Sequence, residues 1–405
     1  MSPGRQSQPR RRCARSKSAA ALLIAAWSTG ACKGEPVPAT ATSSSATPDV
    51  APNGSLRTPQ QAPLKEEFVT VPGGTLRAGS RPGTPGRVPR LEPRTYEVEL
   101  GAFRMDKLPY PNDPSQPPLR GVSRDDAERR CAERGARLCT ELEWERACKG
   151  PENADFVTGS AWTAACGTTP LRCASPFEVL GLTTLREWTA SDLVVSGDAR
   201  TSGAVVRGAS ATAPDDQHRC AHREIVPADR VSDDLGFRCC RGAPNAAKVE
   251  EPKLGQTFVR RRLDAARLGR LLAADPRTAT LAKDVKLFRE PEAARTVVAR
   301  GPGDEKGFSF TVAPMVWNPS PGAEYLLVAA RSQADTSFVL AYHVVGDDEF
   351  ALAASFVMKG EPGPVAFAYS DYIRPRLHFS TCWGCPGETG KILFREPDTV
   401  AILQP

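Results

Sequence analysis

Histidine is scarce in this sequence, with four in 405 residues. There is no Gly-rich phosphate loop, no G-x-S-x-G nucleophile elbow and no H-E-x-x-H pair. These absences remove the usual sequence grounds for phosphoryl transfer, α/β-hydrolase chemistry and zinc proteolysis. No apolar run is long enough to cross a bilayer. "AAALLIAAW" (residues 19–27) falls well short of the roughly 20 residues a spanning helix needs. A lasting charge excess is missing too. The formal net charge is +6, but Arg5, Arg10, Arg11, Arg12, Arg15 and Lys17 all precede residue 32, and no acid stands among residues 1–31. Without that segment the chain is formally neutral, which gives no reason to expect nucleic acid as a partner.

What residues 1–31 do contain is a basic stretch, a short apolar core and the small residues "STGAC" (28–32). That order reads as an export signal removed on secretion. A cysteine directly after small residues resembles the lipobox of bacterial lipoproteins, with Thr29 where Leu or Val is usual. The resemblance implies that Cys32 is lipidated and becomes the new N-terminus. Ordinary secretion with cleavage near Ala31 is the alternative. Both readings export the chain, and the lipidated one places it in the bacterial cell envelope, on the periplasmic side or at the outer membrane, with the membrane as a partner through the anchor.

Residues 32–63 are rich in Pro, Ser, Thr and Ala and almost lack large apolar side chains, so they read as a linker. A first domain is expected over 64–242. "FVTVPGGTLRAGS" (68–80) and "TYEVELGAFRMDK" (95–107) alternate like strands around turns. Ser123 with Asp126, and Thr140 with Glu143, are capping-box spacings that open two helices, stopped by Gly135 and Gly150. The stretch 151–242 reads as loop-rich. Residues 243–276 are expected to be a charged linker and one amphipathic helix carrying Phe258, Leu263, Leu268, Leu271 and Leu272, ended by Pro276. From 277 to 405 the pattern becomes period-two, in eight segments from "FSFTVAPMVW" to "TVAIL", with Gly346-Asp347-Asp348 as a hairpin turn. A small all-β antiparallel domain follows.

Of twelve cysteines, Cys13 leaves with the signal and Cys32 carries the lipid. The other ten are Cys131, Cys139, Cys148, Cys166, Cys173, Cys220, Cys239, Cys240, Cys382 and Cys385. An even number in an exported chain reads as disulfides first. In Cys382-Trp-Gly-Cys385-Pro386, a redox dithiol and half a zinc site compete with a hairpin disulfide. Pro386, Gly387 and Gly390 oppose the helix start that a redox pair uses. Zinc would lack a fourth ligand beyond Cys382, Cys385 and His378. The hairpin disulfide is the expectation.

"VPGGTLRAGS", "FRMDK", "VSRDDAERRCAERGARLCTELEWERACKG", "GLTTLREWTASD", "VVRGAS", "RCAHR" and "SDDLGFRCC" occur in this order over about residues 68–241. Together they resemble the formylglycine-generating enzyme (sulfatase-modifying factor) family. The resemblance implies an α+β, C-type-lectin-like fold with few regular elements. It implies the disulfides Cys131–Cys239 and Cys148–Cys220, which leaves Cys139 beside Cys240, and Cys166 beside Cys173, as further pairs.

Active members of that family oxidise a sulfatase cysteine to formylglycine with oxygen and a copper ion held by two cysteines shortly after an Arg-Gly-Gly-Ser motif. Soft thiolates suit Cu(I). Here Arg207-Gly208-Ala209-Ser210 is followed by "ATAPDDQHR", with no cysteine before Cys220. His218 and His222 flank Cys220 and read as exposed polar residues beside a disulfide rather than as zinc ligands. Where the family reads "GNVWEW", this chain has "TTLREW" (183–188). Glu187 is then the one calcium candidate, with Thr184 in place of the asparagine. The preferred reading makes Trp188 core and Glu187 its hydrogen-bonded neighbour, with calcium as the alternative. Asp233 and Asp234 fit a turn better than an acid/base pair.

The expectation is therefore an exported, lipid-anchored protein whose first domain binds or scaffolds an envelope protein or a glycan. No catalytic residue, copper or other cofactor is expected. The alternative is an active formylglycine-generating oxidase with relocated cysteines.

Overall fold

The computed structural model describes residues 67–404, except 170–171, 183–184, 195–201, 251, 253–254, 256, 292–308, 334, 362, 371–375 and 382–388. Cys32, Thr184, Cys382 and Cys385 lie outside the described residues. The first lobe holds β1 (Phe68–Val71), β2 (Gly74–Ala78), β3 (Tyr96–Leu100), β4 (Phe103–Asp106), α1 (Arg124–Glu133), β5 (Arg137–Leu138) and α2 (Glu141–Lys149). It continues with α3 (Ala165–Thr168), β6 (Arg186–Val194), β7 (Ser202–Arg207), β8 (Arg223–Val226), β9 (Leu235–Phe237) and β10 (Cys239–Arg241). Its sheets run β1-β4-β10-β5, β2-β3 and β8-β7-β6-β9.

Local chemistry starts both helices. Ser123 Oγ accepts the Asp126 amide at the head of α1. At α2 the exchange is reciprocal. Thr140 Oγ1 accepts from Glu143 N, and Glu143 Oε2 accepts from Thr140 N. Each cap stabilises its helix by about 1 kcal/mol. The short elements are then tied by covalent bonds. The structure joins Cys131 to Cys239, Cys139 to Cys240, Cys148 to Cys220 and Cys166 to Cys173. Three of these run between α1, the β5–α2 turn or α2 and the C-terminal part of the lobe, and the fourth closes a short local loop.

The second lobe begins earlier than its period-two pattern suggests. It contains β11 (Thr257–Arg260), α4 (Ala265–Ala274), β12 (Lys286–Leu287), β13 (Ser309–Thr311), β14 (Met315–Ser320), β15 (Ala323–Ser332), β16 (Thr336–Val344) and β17 (Phe350–Lys359). β18 (Ala366–Ser370), β19 (Arg376–Ser380), β20 (Gly390–Arg395) and β21 (Thr399–Leu403) complete it. One sheet runs β11-β14-β15-β16-β17 with β12 also on β15, and the other runs β13-β18-β19-β20-β21. Among the described residues, the strand pairings of both sheets are antiparallel. On β15, Tyr325, Leu327 and Ala329 face the core between the sheets, while Leu326, Val328 and Ala330 face Leu268 and Leu272 of α4. The helix thus covers the outer face of the larger sheet, and burying each of its two leucines contributes about 2 kcal/mol.

Two expectations need correction. The amphipathic helix includes neither Leu263 nor Phe258. That residue sits on β11 opposite Trp317 and packs on Tyr369 with ring centroids 4.5 Å apart. Strand pairing outweighs the helical spacing there, and Asp264 caps α4 instead. "FSFTVAPMVW" is two strands, not one. β13 and β14 separate before Met315 and enter different sheets. Pro314 lies at that break, and its Cδ biases Ala313 away from the helical region.

The lobes meet through the loop between β2 and β3. Arg81, Arg87, Arg90 and Arg94 each reach an acid of the second lobe: Glu349 at 2.6 Å, Asp398 at 2.7 Å, Glu396 at 3.1 Å and Glu324 at 3.8 Å. Only the Arg87–Asp398 pair is fully buried. Arg87 also donates to the carbonyls of Glu92 and Gly322, and Asp398 accepts from the Tyr325 hydroxyl at 2.7 Å.

Candidate functional site

The glutamates of "ELEWERACK" do not line an open site. Every residue of α2 is buried. Glu141, Glu145 and Lys149 share one face at four-residue spacing. Arg207 bridges Glu141 and Glu145 at 2.9 Å each, Arg223 meets Glu141 at 2.7 Å, and Lys149 meets Glu145 at 2.9 Å. Burial alone would raise the Glu145 carboxyl, but the charges of Lys149 and Arg207 outweigh it and hold the pKa below the usual value. Glu143 on the other face takes both Arg137 contacts at 2.8 Å. All three acids are taken up by buried ion pairs, so none is directed into an open site. The helix anchors the lobe.

Glu187 is used up in the same way. Arg238 grips it through Nε and Nη2 at 2.6 Å each, and Trp144 Nε1 donates to it at 2.9 Å. Both oxygens are already bonded to donors and a full positive charge lies alongside. The calcium candidate is therefore corrected: Glu187 closes a Trp–Glu–Arg bridge in the core. Trp188 is buried and donates to the Val122 carbonyl. Asp234 accepts from Ser232 and Arg186 in the turn before β9.

His218 and His222 also need correction, because both are buried. His218 stacks flat on Trp162 with centroids 3.9 Å apart. His222 lies between Glu92 and Glu224, at 3.9 and 3.5 Å. Glu92 is fully buried and receives both Arg219 contacts, at 2.5 and 2.9 Å. Burial by itself would raise its pKa, yet His222 and Arg219 bring it down to about 2. A depressed carboxyl pKa stabilises the fold above the unfolded value near 4.5, and that contribution is lost as pH falls towards 2. We expect unfolding free energy to drop by on the order of 3 kcal/mol across that window through this group. Urea titrations at stepped pH should show a shallower drop for Glu92→Gln. An identical slope in the variant would remove Glu92 from the account. His222 has the opposite sign. Burial would lower its pKa, but Glu224 and Glu92 raise it. Its contribution is complete below about 6.5 and is lost as pH rises through the folded value.

The concave site lies elsewhere. Gly208, at φ +79°, lets β7 end against Leu185; a Cβ there would stand 2.4 Å from the Leu185 carbonyl oxygen. Past this turn, Ala211 lines a cleft of about 520 Å³ together with Gly167, Gly181 and Leu185. Leu108, Pro109, Pro114, Pro117 and Pro118 form the facing wall. The polar side chains on that wall mostly satisfy each other. Asp113 Oδ1 accepts from Ser115 N at 2.8 Å and Ser115 Oγ at 2.7 Å, and its Oδ2 accepts from Gln116 Nε2 at 2.7 Å. Arg120 is exposed at the same cleft and makes no ion pair among the described residues.

The copper cysteines implied by the family would follow Ser210, at this cleft. No thiol, imidazole or thioether lines it. The eight described cysteines of the lobe are all in disulfides, Cys220 with Cys148 included. The donor set does not fit Cu(I). Among the described residues no group of three or more His, Cys, Asp or Glu is arranged to hold a metal. The cleft and the buried ion-pair network were not foreseen from sequence.

Residues 108–243 match the family model described as a sulfatase-modifying factor enzyme 1-like domain. Similar solved structures include PvdO from Pseudomonas aeruginosa, at 16% identity and TM-score 0.37, covering 44% of this chain and 95% of that one. CarF, at 15% identity and TM-score 0.34, covers 44% and 99%. Treponema denticola variable protein 1, at 14% identity and TM-score 0.31, covers 43% and 94%. Comparison with the curated proteins gives no match.

Proposed function

From a chain whose residues 108–243 form a sulfatase-modifying factor enzyme 1-like domain, we propose a non-catalytic binding module of the bacterial cell envelope. In this reading the N-terminal signal exports the chain, Cys32 carries the lipid, and residues 33–63 tether the lobes. The cleft beside Ala211 then holds an extended segment of an envelope protein. A glycan is the other ligand class, but the apolar, proline-rich wall offers few uncommitted polar groups to sugar hydroxyls, which favours polypeptide.

One observation carries the proposal. A cleft lies just past Ser210, where the family resemblance would put the copper cysteines, while every described cysteine near it is locked in a disulfide. Oxidase chemistry needs two thiolates at that point, and binding does not. The direct check is to alkylate the exported protein, denatured but unreduced, and map labels by mass spectrometry. Cys131, Cys139, Cys148, Cys166, Cys173, Cys220, Cys239 and Cys240 should all be unlabelled. Labelling of Cys148 and Cys220 together would restore a thiol pair and undo the proposal.

A further inference from the structure

We infer that the cleft beside Ala211 selects polypeptide segments carrying a carboxylate, which Arg120 receives at its mouth; this rests on the reading of the cleft as a polypeptide site. The reasoning is an accounting of its polar groups. The four prolines lend no amide N–H, so that wall is poor in backbone donors. Ser115 spends its amide and hydroxyl protons, and Gln116 one side-chain N–H, on Asp113, so that both Asp113 oxygens accept and Arg120 is the one cationic donor in the lining. Arg120 remains, with five N–H donors and no acceptor, exposed and unpaired among the described residues. A guanidinium beside apolar surface favours a planar anion that it can hold by two parallel hydrogen bonds, and a carboxylate has that geometry. A volume of about 520 Å³ is within the usual range for ligand sites and takes a few side chains, not a folded domain. The carboxylate can come from an Asp or Glu side chain or from a chain terminus. Leucine and proline neighbours would fill the space between Leu108 and Leu185.

The test uses the full exported chain and two random heptapeptide libraries, one displayed with free C-termini and one with its C-termini fused to the carrier. Selected peptides should be enriched in Asp or Glu at one position, next to apolar residues. Enrichment confined to the free-terminus library would instead assign the carboxylate to a chain end. For a selected peptide, Asp→Asn should weaken binding about tenfold or more. Arg120→Gln should erase most of that difference, while Arg120→Lys should keep part of it. Arg120 is exposed, so an unchanged melting temperature in the variants verifies that they fold. Binding with no acidic preference, or a preference that survives Arg120→Gln, overturns this inference alone. Failure of any peptide to bind overturns the polypeptide-site reading as well.

Discussion

Removing both Cys131–Cys239 and Cys139–Cys240 by alanine substitution should cost about 1 kcal/mol more than the two single losses together. The two bonds close nearly the same loop, with sequence separations of 108 and 101. While one stands, the other adds only a small ring through residues 131–139 and 239–240. By the chain-entropy relation, a ring of about 10 residues is worth roughly 2–3 kcal/mol. Once the second bond goes, the full loop opens. Cys148–Cys220, with separation 72, still shortens that loop to about 30 effective residues, so the further loss is about 4 kcal/mol. Each single pair should therefore cost about 2–3 kcal/mol and the double removal about 6–7 kcal/mol, which most domains cannot spare. Urea midpoints of the three variants check this. Two single losses that sum to the double loss would show that the bonds act independently, against the geometry.

The second large effect is expected at Arg87–Asp398. Replacing Arg87 by Ala leaves the Asp398 carboxylate buried beside the Tyr325 hydroxyl and, 3.9 Å away, His343, and Asp398→Ala strands a buried guanidinium. Breaking a buried pair in this way costs about 3–5 kcal/mol, while replacing both partners by apolar residues of similar volume recovers much of it. Arg87→Met with Asp398→Leu should therefore be more stable than either alanine variant. Arg81→Ala and Arg90→Ala should each cost no more than about 1 kcal/mol, because those pairs are exposed. Differential scanning calorimetry on the five variants separates the cases. Equal losses at Arg81 and Arg87 would mean that burial does not distinguish them.

What was legible in the sequence was mostly local or carried by the family resemblance. Thr140 and Glu143 announce the start of α2 because a capping box is complete within four residues. The Gly346-Asp347-Asp348 turn follows from its flanking alternation, and Val345 N does bond to Glu349 O across it. Nothing local marks the loop carrying Arg81, Arg87, Arg90 and Arg94 as a contact between the lobes, since its acidic partners lie between residues 324 and 398. Glu141, Glu145 and Lys149 at four-residue spacing have the pattern of a solvent-facing stripe. Only Arg207 and Arg223, delivered by distant strands, turn that stripe into an ionic core. His222 and Glu92 were hidden for the same reason. The cleft at Ala211 depends on how three separate loops approach one another, and no periodicity records that.

The central claim is that a binding cleft has been kept without the thiolates that oxidation requires. Turnover tests it most directly. The exported protein, with its disulfides intact, is incubated with Cu(I), oxygen and a cysteine peptide derived from a sulfatase, and aldehyde is measured by mass spectrometry. The account predicts aldehyde no greater than in a control without protein. Aldehyde above that control, abolished by Cys220→Ser, would contradict it, because Cys220 would then be serving as a copper ligand and not as the partner of Cys148.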